Sequence, residues 1–330
     1  MSAISLIFLS LALTASSARP ADLKEWEAAF REGDRHLKSG DIPIAEAAFA
    51  HALTIAETFL PTDVRRGSTL LRLAFVYRME ERFFEAEALD KRALEQFEKI
   101  EGPRGEAVAE AMVDLGSVYC LWGRYAQSED MLLRGLALRQ EILPAGDQEI
   151  VATMTNLASL YYVEGRYAEA ELLCQKVLAA DEKTLGARNP ETGKILNNLA
   201  TINQALGKTA EAESLYQRAQ DIMEPQVGSN HPLMATLYEN RARLFVQTHR
   251  YAEAEREFQK SIASWEVCLG PDHPRIGGLL RERAAALRKS HGKREARNLE
   301  IRAMEIETRN PARKLSGNTV DVNSLLAPRK

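Results

Sequence analysis

Residues Asn156 to Pro190 read NLASLYYVEGRYAEAELLCQKVLAADEKTLGARNP, and the same design returns twice. Asn198 to Pro232 read NLATINQALGKTAEAESLYQRAQDIMEPQVGSNHP, and Asn240 to Pro274 read NRARLFVQTHRYAEAEREFQKSIASWEVCLGPDHP. Each copy starts 42 residues after the one before. A fixed period of this length marks an array of stacked supersecondary units, each packing on its neighbours, in place of one closed core.

Working outward from these copies, small residues hold the register along the chain. Ala45, Ala86, Ser128, Ala170, Ala212, Ala254 and Ala296 form one column. Seven positions later stand Ala52, Ala93, Gly135, Val177, Ala219, Ser261 and Ala303. Twelve positions before the first column stand Gly33, Ala74, Gly116, Ala158, Ala200, Ala242 and Ala284. Three columns of narrow side chains in step predict two helices per unit that cross closely, since only small residues let the backbones approach. Leu73, Leu115, Leu157 and Leu199 form a row of large residues beside them, and Tyr77, Tyr119, Tyr161 and Phe245 form another, interrupted by Asn203. Leu157, Leu160 and Tyr161 share one face at helical spacing. Gly123, Gly165 and Gly207 stand between two helical patterns, where glycine supplies the left-handed residue that ends a helix. The unit is therefore read as helix A, a short turn, helix B and a longer connection.

These residues resemble the tetratricopeptide repeat. Asn156 to Ala170 carries the pattern Asn-Leu-Ala-x-Leu-Tyr-x-x-x-Gly-Arg-Tyr-x-Glu-Ala, and the 42-residue period with LGPDHP at Leu269 to Pro274 is similar to the kinesin-light-chain subtype. The resemblance covers about residues 24–306. It implies an all-α fold, a right-handed α-solenoid of about seven stacked helix-turn-helix units. The expected units lie near 24–60, 66–103, 108–145, 150–187, 192–229, 234–271 and 276–306. The ends depart from the pattern: His36 stands where an aromatic residue belongs, Arg283 replaces the leucine, and Glu300 replaces an apolar residue. Polar drift of this kind is expected of capping units, which meet water on one side.

The segments outside the array are read separately. Ile4 to Leu13 is a run of apolar and small residues, and Ser16 and Ala18 are small where a signal peptidase reads. Residues 1–18 are expected to be a signal peptide cleaved near Ala18, giving an exported chain, periplasmic or secreted. The apolar run is short beside the ~20 residues that a membrane span needs, so no stable span is expected in the mature chain. Residues 307–330 are expected to be a flexible tail after the stop signal Asn310-Pro311, with docking of Val320, Val322 and Leu325-Leu326 on the last helix as the alternative. Cys120, Cys174 and Cys268 are odd in number and irregularly spaced, and are read as small buried hydrophobes with no disulfide.

Function is less constrained. Net charge is -4, which discourages a nucleic-acid partner. No phosphate-binding loop, nucleophile elbow, metal-ligand spacing or paired carboxylates stand out, so catalytic residues, cofactors and metals are expected to be none. Asp272-His273 has acid–base residues side by side, but Asn189, His231 and His273 repeat before Pro190, Pro232 and Pro274. A repeated loop position of this sort is expected to hydrogen-bond the ends of neighbouring helices. Helix A is expected to line the inner surface of the array. Its inward positions are then Thr155, Asn156, Ser159 and Tyr162, followed by Lys194, Asn197, Asn198, Thr201 and Gln204, then Glu239, Asn240, Arg243 and Gln247. An Asn side chain carries both donor and acceptor, so Asn156, Asn198 and Asn240 can grip the backbone of an extended peptide. The candidate groove residues are Asn156, Tyr162, Lys194, Asn197, Asn198, Gln204, Asn240 and Arg243. Packing between neighbouring helices, or plain solvation, is the competing role for the asparagines. Arg72 and Asp114 occupy the same column earlier in the chain, so mixed charge is expected there. The repeat resemblance implies a non-catalytic scaffold for a peptide or partner protein. The alternative is a regulatory subunit of an exported enzyme complex.

Overall fold

The computed structural model describes residues 19–290 and 292–309. The signal-peptide reading, residues 310–330 of the tail and His291 lie outside the described residues. Within them stand fourteen helices and no strand. In chain order they are α1 (Pro20–Ser39), α2 (Ile42–Ala56), α3 (Val64–Met79), α4 (Phe83–Glu101), α5 (Glu106–Leu121), α6 (Tyr125–Ile142) and α7 (Gln148–Val163). They continue as α8 (Tyr167–Thr184), α9 (Pro190–Ala205), α10 (Thr209–Val227), α11 (Pro232–Gln247), α12 (Tyr251–Leu269), α13 (Pro274–Lys289) and α14 (Lys293–Arg309). Odd-numbered helices are the A helices and even-numbered ones the B helices. The fold is the all-α solenoid class of stacked helix-turn-helix pairs.

The chain divides into two compact units, one ending at Glu164 and one beginning at Gly165. In the first, each helix from α1 to α7 packs on the next, and α3 and α7 also touch α5. In the second, each helix from α8 to α14 packs on the next, and α9 touches α11.

The small columns are what make this packing close. Ala45, Ala86, Ser128, Ala170, Ala212, Ala254 and Ala296 are all completely buried. Where a column position is serine, the hydroxyl donates to the backbone of the crossing helix: Ser128 to Gly116 O at 2.7 Å, and Ser261 to Ala235 O at 2.9 Å. A Cβ on Gly116 would sit 2.8 Å from Leu132 Cγ, closer than packed atoms tolerate. Large apolar residues fill the space between crossings, among them Phe49, Leu70 and Phe97 in the first unit and Met223, Leu237 and Phe258 in the second. Burial of such side chains stabilises by ~1.5–3 kcal/mol each.

Turns and caps follow the period. Gly123 and Gly207 end their A helices with φ of 78° and 75°. At the same place Glu81 and His249 are forced to φ of 60° although neither is glycine. Pro190, Pro232 and Pro274 open α9, α11 and α13, where the missing N–H removes nothing. The residue before each proline is the N-cap. Asn189 accepts from Glu191 N at 2.9 Å, His231 Nδ1 from Leu233 N at 3.2 Å, and His273 Nδ1 from Arg275 N at 3.3 Å. Asp63 and Asp147 do the same for α3 and α7. His273 is thus a helix cap, and Asp272 pairs with Arg309 at 2.9 Å.

Two expectations need correcting. Cys120 and Cys174 are buried, but Cys268 is exposed, its Sγ 3.1 Å from Asn230 O. It lies one residue from the C-terminal end of α12, past Trp265, the last buried residue of that helix. Arg283 does not simply face water: its guanidinium pairs with Glu255 at 2.7 Å and Glu295 at 2.9 Å. An apolar position has become an ion-pair hub joining α12, α13 and α14.

Candidate binding surface on the A helices

In the second unit, α9 and α11 bring six of the candidate residues together. The asparagines are far less exposed than a solvated wall would leave them: Asn197 is 5 %, Asn198 7 % and Asn240 8 % accessible. Asn240 Nδ2 donates to Asn197 Oδ1 at 3.2 Å across the two helices. Gln204 Nε2 donates to Gln247 Oε1 at 3.0 Å, again between α9 and α11. Tyr216 of α10 reaches through from behind and bonds Thr201 at 3.0 Å and Gln204 at 3.1 Å. Arg243 is committed as well. It forks onto Glu282 with two contacts of 2.8 Å and meets Glu239 at 2.7 Å. Burial disfavours its charge, but Glu282 and Glu239 outweigh that and hold the guanidinium above its ordinary range. Glu239 in turn accepts from Arg275 at 2.9 Å.

Asn198 stands apart. Its Nδ2 is buried with no hydrogen-bond partner. It lines a small hollow with Lys194, Asn197 and Thr236, whose apolar wall is Met223 and Leu233. Lys194 lies 3.8 Å from Glu191 with its side chain 15 % exposed. The hollow therefore offers one ammonium and one unused amide donor. A group with free lone pairs, such as a peptide carbonyl, would satisfy the Asn198 amide and lie beside the ammonium.

In the first unit, Asn156 is 9 % exposed and its Nδ2 lies 3.4 Å from Ser117 Oγ on α5. Tyr162 is half-buried near the end of α7. The mixed charge is present: Arg72 meets Asp34 at 3.7 Å, and Arg78 meets Asp114 at 3.9 Å. Glu110 is pushed up to about 7, first by burial and then by Asp114. Thus Asn156 and Asn240 donate to neighbouring A helices, as the packing role requires, while Asn198 keeps a donor in reserve.

Sequence reasoning missed a ladder along the B helices. Arg82 pairs with Glu46 at 2.8 Å, Arg124 with Glu87 at 3.5 Å, and Lys208 with Glu171 at 2.7 Å; Arg250 pairs with Glu213. The same arginines cover aromatic rings, Arg82 over Tyr77 at 3.8 Å and Arg124 over Trp122 at 3.5 Å. The signal was present in the basic residue just before α4, α6, α8, α10 and α12 (Arg82, Arg124, Arg166, Lys208 and Arg250) and in the Glu after every residue of the first small column except Ala296, both at the repeat period. Such charge-assisted contacts lock successive B helices in step.

Comparison with curated proteins finds none that matches. Among solved structures, the chain is similar to BtubC (BKLC) from P. vanneervenii, with 19 % identity over 73 % of this chain and 98 % of that one, TM-score 0.59. It is similar to the nearly identical TPR-like repeats of a Podosopora anserina putative kinesin light chain, with 23 % identity over 62 % and 98 %, TM-score 0.52. Aspartyl phosphate phosphatase F from Bacillus subtilis shares the fold at 12 % identity over 92 % and 76 %, TM-score 0.68. The sequence profile of the tetratricopeptide repeat matches residues 65–141, 149–224 and 233–308. With the repeat seen in the columns, the helix pairs and the profile alike, the chain belongs to the tetratricopeptide repeat family.

Proposed function

We propose that this chain is a non-catalytic scaffold that holds an extended segment of a partner protein against its A helices. The observation that carries the reading is Asn198 Nδ2, a buried amide donor with no partner. A donor left unmade in this way costs ~1–3 kcal/mol, which a peptide carbonyl in the hollow would recover. Lys194 beside it adds a charged group, and Thr236 of α11 lines the same hollow. No nucleic acid enters this reading, because neither the hollow nor the net charge of -4 offers a basic surface. Export is part of the proposal. It is supported by the apolar run Ile4 to Leu13 and the small residues Ser16 and Ala18, and by nothing further along the chain.

A photo-crosslinking side chain placed at position 236 of the full chain tests the reading in the producing cells. A discrete protein adduct is expected, and it should drop at least several-fold in the Asn198→Ala, Lys194→Ala variant while helicity is unchanged. Absence of an adduct, or an adduct indifferent to that variant, would overturn it.

A further inference from the structure

The first unit places too few cations among its carboxyl groups. Asp34, Asp90, Glu110 and Asp114 are served by the guanidiniums of Arg72 and Arg78, at 3.7 Å from Asp34 and 3.9 Å from Asp114, while Arg139, which also acts on Glu110, is itself paired with Glu149 at 2.8 Å. Glu110 and Asp114 are four residues apart on α5, so both side chains leave the same face of the helix. Asp90 of α4 is only 1 % exposed, and neither of its carboxylate oxygens has a hydrogen-bond partner.

The place of Asp90 in the repeat makes this more than a cluster of acids. Equivalent positions in five of the other six units hold Phe49, Leu132, Cys174, Tyr216 and Phe258, all apolar or aromatic, and the last unit has Glu300, which is part-exposed and paired with Arg288. Tyr216 shows where that position points: its hydroxyl reaches the A-helix wall at Thr201 and Gln204. Arg78 is the counterpart of Gln204 in its own repeat. Asp90 therefore lies behind the wall, and burial first, then the charge of Asp114 against that of Arg78, push its carboxyl well above the usual range. A buried carboxylate without donors is unfavourable by itself, and a cation brought within about 4–6 Å favours its charged form.

We propose that Glu110 and Asp114, backed by Asp90, form a receptor site for a lysine or arginine side chain of the protein partner. An ammonium or guanidinium seated between Glu110 and Asp114 adds N–H donors where Asp114 has Arg78 at 3.9 Å. An arginine fork can engage both carboxylates at once. The proposal rests on the reading that a partner lies along the A helices, and adds that the partner is basic where it meets the first unit.

The test uses the full chain and three labelled octapeptides, one of lysine, one of arginine and one of glutamate, with binding read by fluorescence anisotropy. The Glu110→Gln, Asp114→Asn variant is compared with Glu95→Gln, Glu98→Gln, which makes the same change of net charge on the exposed surface of α4. Affinity for the lysine or arginine peptide should fall at least tenfold in the first and stay within twofold in the second. Glu110→Lys, which places a cation in the site, should abolish the binding, with circular dichroism confirming that the fold persists. Equal losses in both double variants, no loss in either, or preference for the glutamate peptide would overturn the proposal. A partner crosslinked through position 236 together with no effect at Glu110 would overturn this inference and leave the scaffold reading standing.

Discussion

At the scale of single residues, the first unit carries a pH dependence with a definite sign. Glu110 holds its proton up to about 7 in the folded chain, against 4.5 for an ordinary glutamate, because burial and then Asp114 oppose its charge. Arg72 and Arg139 act the other way and Glu149 reinforces the rise. Between those values the folded chain binds more protons than the unfolded one, so stability must fall as pH rises through this window. The contribution is complete below about 4.5 and gone above about 7. The expected size is on the order of 1–3 kcal/mol. Urea denaturation at pH 5 and at pH 8 measures it, and Glu110→Gln should flatten the difference. A wild-type chain equally stable at both pH values would contradict the burial assigned to Glu110.

At the scale of elements, the A–B turn shows a rule and its violations. The residue that ends helix A must enter the left-handed region, and Gly123 and Gly207 do so freely. His249 is held there at φ of 60° with its ring stabilised by Tyr251, Nδ1 lying 2.8 Å from the hydroxyl. A left-handed residue with a Cβ is unfavourable by roughly 1–2 kcal/mol. His249→Gly should therefore raise stability by about 0.5–1 kcal/mol, after allowing for the greater freedom of glycine in the unfolded chain. Thermal melting of the variant checks this. A lower melting temperature would mean that the His249–Tyr251 contact outweighs the backbone strain.

At the scale of the whole molecule, cohesion is local in sequence, since each helix packs chiefly on those beside it within its unit. Damage should be local too. Ala212 is fully buried at a crossing with α9, close to Ala200 and Tyr216. Ala212→Trp overpacks that crossing and should cost ~1–3 kcal/mol or more. Hydrogen exchange should then quicken in α9 to α12 and stay at wild-type rates in α1 to α5. Uniform acceleration along the chain would refute local cohesion, and no change at all would refute the register of the small columns. That register was legible from the sequence, as were the left-handed turn at Gly207 and the prolines opening α9, α11 and α13. Each depends on sterics within a few residues, or on a side chain narrow enough for a helix crossing, and a 42-residue period repeats such requirements in plain view. The fate of the asparagines was not legible. Asn156, Asn198 and Asn240 occupy one column with one chemistry, yet two donate to neighbouring helices and Asn198 does not. Nor does an aspartate at position 90 declare that it will be buried without a donor. Periodicity determines which face of a helix turns inward. Which donor meets which acceptor depends on side chains some 39 to 43 residues apart, Ser117 with Asn156 and Asn197 with Asn240. Only the packed helices bring those atoms within bonding distance, so only the tertiary structure decides them.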